Sequence, residues 1–113
     1  MKCINERTSQ IIADNLEMKD TILGRMVGLL SRGSLGTGEG IILKPCVQIH
    51  TFFMRFAIDV IFVDADGRVL HVVENMKPWR VSPLFRHASR TVELRAGTLK
   101  GSVKEGDRLV FTL

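Results

Sequence analysis

The segment IDVIFVDADGRVLHVVENM, residues 58 to 76, constrains the fold more than any other part of the chain. Two runs rich in β-branched residues flank Asp66-Gly67, a dipeptide suited to the positive φ of a hairpin turn. A three-residue loop over Ala65–Gly67, with Gly67 left-handed, sets Phe62 opposite Leu70 and Val60 opposite Val72. A two-residue loop would instead set Phe62 opposite His71. The three-residue register is expected, because it gives a continuous apolar face.

Once this hairpin is fixed, the remaining punctuation reads as more short strands. KCIN and QIIADNLEM alternate apolar and polar residues, IILK follows a glycine-rich linker, TVELR places Val92 and Leu94 inward with Glu93 and Arg95 on the other side, and RLVFTL ends the chain. Leu109, Phe111 and Leu113 share one face of that last strand, so the final residue is expected to be structural. One helix is predicted: Asp20 or Thr21 caps it, Ile22, Leu23, Met26, Val27 and Leu30 form its apolar stripe, and Gly33 stops it. Strand and helix do not alternate, which argues against a parallel nucleotide-binding sheet. The expected fold is mainly β, an antiparallel barrel or sandwich of six to eight short strands with one packed helix, in a single domain spanning residues 1–113.

Composition excludes several classes. Six Phe, one Trp and no Tyr, within a 45% apolar chain of 113 residues, suit one globular core. The apolar runs are far shorter than the roughly 20 residues a membrane span needs. The opening MKCINERTSQ has no apolar signal region, so a cytoplasmic location is expected. Cys3 and Cys46 have neither disulfide-framework nor zinc spacing and are expected to be reduced thiols. No metal site and no cofactor is predicted, because His50, His71, His87 and the two cysteines lack compact ligand spacing.

The linker GSLGTGEG runs from the predicted helix into a strand, the reverse of a phosphate-binding loop, and is read as turn chemistry. Residues 1–76 carry eight Lys/Arg against nine Asp/Glu, and residues 77–113 eight against three, so the basic excess lies in the last third. Lys77, Trp79, Arg80, Arg86, His87, Arg90 and Arg95 are the side chains a nucleic-acid site would use. A single-strand platform normally offers several aromatics, so Trp79 is expected against the core and nucleic acid is not the expected partner.

The candidate site lies in IHTFFMRFAIDVIF, residues 49 to 62. Read as one strand, it places His50, Phe52, Met54, Phe56, Ile58, Val60 and Phe62 on one face. That strand is longer than usual, so a break is expected near Phe56-Ala57. Without it Arg55 and Asp59 stand about 13 Å apart. With it, His50, Thr51, Arg55 and Asp59 form a ligand-binding constellation in which Arg55 clamps an anion. The first functional expectation is a binding module for a small polar or anionic ligand or a protein partner. The alternatives are an acid–base enzyme using His50 and Asp59, and an RNA-binding protein using the basic last third.

GEGIILKPCVQIHTFFMRFAIDVIFVDADGRVLHVVENMKPWR, followed by VELRAG and EGD, resembles the prokaryotic domain of unknown function 192 family from about residue 21 to the C-terminus. The resemblance implies a compact β-rich, barrel-like fold with one helix and no established activity, ligand or catalytic residue. Ala57 and Arg95 stand where relatives usually have proline. The resemblance also implies an N-terminal signal or anchor in many relatives; none is expected here, because MKCINERTSQ has no apolar run.

Overall fold

The computed structural model describes residues 1–21, 24, 29 and 32–113, arranged in two sheets. The three-stranded sheet has the order β2-β1-β8 and is formed by β1 (Lys2–Asn5), β2 (Gln10–Ala13) and β8 (Leu109–Thr112). The five-stranded sheet has the order β3-β4-β7-β5-β6, from β3 (Asn15–Lys19), β4 (Glu39–Leu43), β5 (Ile58–Val63), β6 (Val69–Met76) and β7 (Arg90–Arg95). All pairings are antiparallel except β3 with β4. The architecture is a sandwich rather than a closed barrel. The predicted helix stripe of Ile22, Leu23, Met26, Val27 and Leu30 lies outside the described residues.

QIIADNLEM, which alternates like one strand, is split between the two sheets. Asp14 and Asn15 both donate their main-chain N–H to the Gly38 carbonyl (3.2 and 3.0 Å), which pins the corner where the chain changes sheet. Gly38 makes that approach with φ +78, and a side chain there would meet the Asp14 carboxylate. Here the glycine-rich linker does supply a positive-φ turn.

Two apolar clusters flank the five-stranded sheet. Between the sheets, Cys3, Ile12, Ile42, Ile61, Val92 and Leu94 belong to the first. On the other face, Ile41, Leu43, Ile58, Val60 and Phe62 belong to the second, with Leu29, Leu35 and Met54. Every residue of β5 is therefore buried, which is why IDVIFV is nearly uninterrupted in its apolarity.

The hairpin keeps the expected Gly67 at φ +86 but shifts register beyond it. Val63 pairs with Val69, as the three-residue loop requires, whereas Phe62 then pairs with His71 and Val60 with Val73. One step along β5 spans two along β6, so Leu70 is a bulge residue that the sequence pattern did not mark. A second shift between Ile58 and Val60 falls opposite Glu74-Asn75, and Asn75 has φ +54.

The C-terminal strand closes the three-stranded sheet by pairing Cys3 with Phe111 and Asn5 with Leu109. Leu109 is buried and Phe111 packs partly against the first cluster, but Leu113 is fully exposed, contrary to the expectation from alternation. β8 ends at Thr112, one residue short of placing Leu113 in the sheet. The turn before β8 is held by Asp107, whose carboxylate accepts from Arg7 Nε (2.6 Å) and Nη2 (3.0 Å), Asn5 Nδ2 (2.9 Å) and Lys104 N (2.9 Å). The Arg7 guanidinium, first among these contacts, holds the acid far below the usual carboxylate range.

Chemical denaturation checks both ends of this strand. Leu109→Ala is expected to cost about 2–5 kcal/mol, while deletion of Leu113 leaves the midpoint unchanged. Because the Asp107 acid is depressed, its stabilisation is complete above the usual carboxylate value and is lost as pH falls toward the folded one. The melting-temperature gap between wild type and Asp107→Asn should therefore narrow as pH is lowered from 5 to 2.

Candidate functional site

Residues 46–54 and 77–85 run side by side as an irregular two-stranded ribbon. Phe85 N donates to Val47 O (2.8 Å), Ser82 N to Ile49 O (2.9 Å) and Thr51 N to Arg80 O (2.8 Å), while His50 and Val81 form a β-bridge. Thr51 is the knot of this ribbon. It is fully buried, donates its hydroxyl to Lys77 O (2.6 Å), accepts from Arg80 N (2.9 Å), and takes the Trp79 N–H on its own carbonyl (3.0 Å). The chain then turns at Phe52-Phe53, where Met54 N reaches Thr51 O (3.2 Å), bends at Arg55-Phe56, and enters β5 only at Ile58.

The four residues singled out by sequence are therefore not gathered into one site. Thr51 is inside the ribbon, and His50 is exposed on it, with its ring stacked on Phe52 at 5.0 Å and Nδ1 accepting from Phe52 N (3.3 Å). Arg55 is exposed beyond the turn and forms no ion pair among the described residues. Asp59 is buried within β5, where Oδ1 accepts from Asn75 N (2.8 Å) and Oδ2 from Leu99 N (3.0 Å). The bend near Phe56 exists, yet Arg55 and Asp59 do not meet. Both Asp59 oxygens are engaged by main-chain donors, so no His50–Asp59 acid–base pair is formed. The carboxylate instead caps the Asn75 bulge and the turn after β7.

One aromatic residue departs from expectation, and a second is exposed beside it. Trp79 is 57% exposed rather than set against the core, and Phe53 is 70% exposed. Their rings lie 4.8 Å apart, and Phe52 lies 5.9 Å from Trp79. Both Phe53 and Trp79 have φ +66, a left-handed backbone that is unfavourable for bulky side chains. Residues 44–58 and 76–92, which contain this ribbon, carry six Lys/Arg and no Asp or Glu. The cations of the basic last third do not all face the ribbon's rings: Arg90 lies over the Phe111 ring at 4.5 Å, and Arg95 Nη1 reaches Thr37 Oγ1 (3.0 Å).

Glu93 is the residue sequence reasoning missed. It was placed on the outer side of a half-buried strand, but β7 is central and Glu93 is 5% exposed, paired between Ile41 and Val60. Asn5, Thr51, Asp59, Ser82, Thr91 and Asp107, the other buried polar residues described, each have a side-chain hydrogen bond. The Glu93 carboxyl has none among the described residues, and burial pushes its pKa up to about 7. The only signal in the sequence was a charged residue inside an apolar strand.

With this geometry in place, comparison with known proteins locates the chain. It matches the DUF192 family, described as uncharacterized ACR, over residues 3–111. The chain belongs to the DUF192 family. The match includes β1 and β2 as well as the region from residue 21 where the resemblance was first read. A UPF0127 protein of Pyrococcus horikoshii is 32% identical over 111 residues, covering 94% of this chain and 95% of the relative. Another from Thermococcus kodakarensis is 29% identical, over 96% and 72%.

Two crystal structures share the fold. One is a protein of unknown function from Novosphingobium aromaticivorans (TM-score 0.82, 22% identity, 97% of this chain and 82% of that one). The other is described as a putative transcription regulator from Sinorhizobium meliloti (TM-score 0.81, 23% identity, 96% and 89%). At such identity the likeness establishes fold alone.

Asp59→Ala leaves one buried and one partly buried N–H group without its acceptor and is expected to cost roughly 2–3 kcal/mol in a denaturant titration. Glu93 works in the opposite sense. A carboxyl whose folded pKa is raised holds more protons folded than unfolded, so stability falls as pH rises from about 4.5 toward 7. Thermal melts of Glu93→Leu should lack that decline.

Proposed function

We propose that this DUF192 protein is a binding module whose docking surface is the aromatic ribbon, and that its partner is an acidic, partly apolar segment of another protein. The observation that carries this reading is the pair Phe53 and Trp79, held outward on left-handed backbone. Backbone strain of this kind costs on the order of 1–3 kcal/mol and concentrates at binding sites. Burying two large rings against a partner would recover apolar area left uncovered in the free protein.

Charge sets the chemistry of the partner. Arg55, Lys77 and Arg80 are exposed around the rings, and the two segments that form the ribbon contain no carboxylate to neutralise them. Val81 and Leu84, 53% and 58% exposed, continue the apolar surface along the ribbon. Aliphatic side chains continuing the surface beside aromatic and arginine anchors favour a protein partner over a nucleic acid, whose bases gain little from aliphatic contacts. Of the four residues expected at a site, His50 and Arg55 belong to this surface, whereas Thr51 and Asp59 hold the frame beneath it.

Trp79 is the sole tryptophan, so its fluorescence reports on the surface directly. Titration with a peptide of alternating Glu and Leu should blue-shift the emission, and a Lys/Leu peptide of equal length should not. Phe53→Gly and Arg80→Glu should weaken binding at least tenfold, with Phe53→Gly melting no lower than wild type because glycine accepts that φ. An unchanged spectrum with the acidic peptide overturns the proposal. Preferential binding of an oligothymidylate would replace the protein partner with single-stranded nucleic acid.

A further inference from the structure

Phe53 and Trp79 lie on bends far apart in the sequence, and both bends close on Thr51. The first spans Thr51 to Met54, and its closing bond runs from Met54 N to the Thr51 carbonyl (3.2 Å). The second spans Lys77 to Arg80, and no main-chain bond joins its ends among the described residues. The Thr51 hydroxyl is inserted between them instead, donating to Lys77 O (2.6 Å) and accepting from Arg80 N (2.9 Å). Within that bend the Trp79 N–H reaches the same Thr51 carbonyl that closes the first (3.0 Å). One carbonyl oxygen is therefore shared by the bend that carries Phe53 and by the residue that carries the neighbouring ring.

The centre of this arrangement is rigid. Thr51 is fully buried, its branched Cβ restricts the hydroxyl to few rotamers, and its own N–H is anchored on Arg80 O (2.8 Å). Opening either bend withdraws a hydrogen bond from that one buried residue, where water does not take its place. Phe53 and Trp79, each at φ +66, hold a backbone that disfavours bulky side chains, so their conformations rest on these bonds. We infer that Thr51 is the positioning residue of the ribbon. It couples the two bends into one unit, so that the pair of rings, 4.8 Å apart, is presented whole or not at all. Resting on the reading of the ribbon as a docking surface, this sets a requirement on the partner: its apolar side chains must cover both rings together.

Ser82 supplies the contrast. It too is a buried hydroxyl of the ribbon, but it accepts from Ile49 N (3.0 Å) and donates to Pro83 O (2.9 Å), touching neither bend. Removing it loosens the ribbon without cutting a bond to Phe53, Trp79 or the residues that close their bends.

Native-state hydrogen exchange of the full chain in low guanidinium tests the coupling without a partner. In the wild type, the amides of Met54, Trp79 and Arg80 should open with one free energy and one denaturant dependence. Different values for Met54 and Trp79 overturn the inference. Thr51→Val keeps the side-chain shape and removes the hydroxyl, which touches only the second bend. It should nevertheless speed exchange at all three amides by about tenfold and lower the fluorescence anisotropy of Trp79. Thr51→Ser should restore both readings. Acceleration confined to Trp79 and Arg80 makes the bends independent, and failure of serine to rescue assigns the effect to packing; either overturns the inference. Affinity for the Glu/Leu peptide should fall about tenfold in Thr51→Val and stay near wild type in Thr51→Ser and Ser82→Ala. An equal loss in Ser82→Ala removes the positioning role. If the peptide fails to bind the wild type while the three amides open together, the docking reading falls and the coupling stands.

Discussion

Much of this architecture depends on the carboxylate of Asp59. It stands in a strand buried on both faces, where an unpaired charge would be intolerable, and receives one N–H from the bulge in β6 and another from the turn that follows β7. One donor lies in β6 and the other in the turn just after β7, the two strands that flank β5 in the sheet. One side chain therefore fixes the local shape of both neighbours. The irregularity of β6 follows from this: Asn75 adopts positive φ at the point where its amide must face the acid.

The same economy separates frame from surface elsewhere. Thr51 and Ser82 bind the ribbon together through buried hydroxyls, so Phe53 and Trp79 need no core contacts of their own to stay in place. Strain at their backbones is sustained by hydrogen bonds on either side of them. Glu93 is the contrasting case, a buried acid whose carboxyl has no hydrogen bond to the described residues.

The sequence was informative wherever burial imposed a period. β1, β5, β6, β7 and β8 coincide with apolar runs or alternations, and Met54, Ile58, Val60 and Phe62 share a cluster although they do not lie on a single strand. What could not be read arises from main-chain hydrogen bonding, which leaves no periodic trace. The Leu70 bulge, the corner at Asp14 and the turn at Phe53 are of this kind. The site residues illustrate the limit: His50, Thr51, Arg55 and Asp59 were rightly seen as unusual in an apolar stretch, but two of them are explained by backbone donors and acceptors distant in sequence. Glu93 was misjudged because alternation implies a wet face, and β7 has none.

The pairing of β1 with β8 has a consequence for how the molecule is made. Cys3 lies beside Phe111, and Asn5 donates to Asp107, so the three-stranded sheet joins segments 102 residues apart in sequence. Contacts so far apart in sequence form slowly, because a long loop must close before they stabilise anything. During synthesis β1 and β2 have no third strand until β8 has left the ribosome, by which time every strand of the five-stranded sheet has been made. This four-residue strand thus completes the three-stranded sheet over one face of a five-stranded sheet whose strands all precede it in the chain.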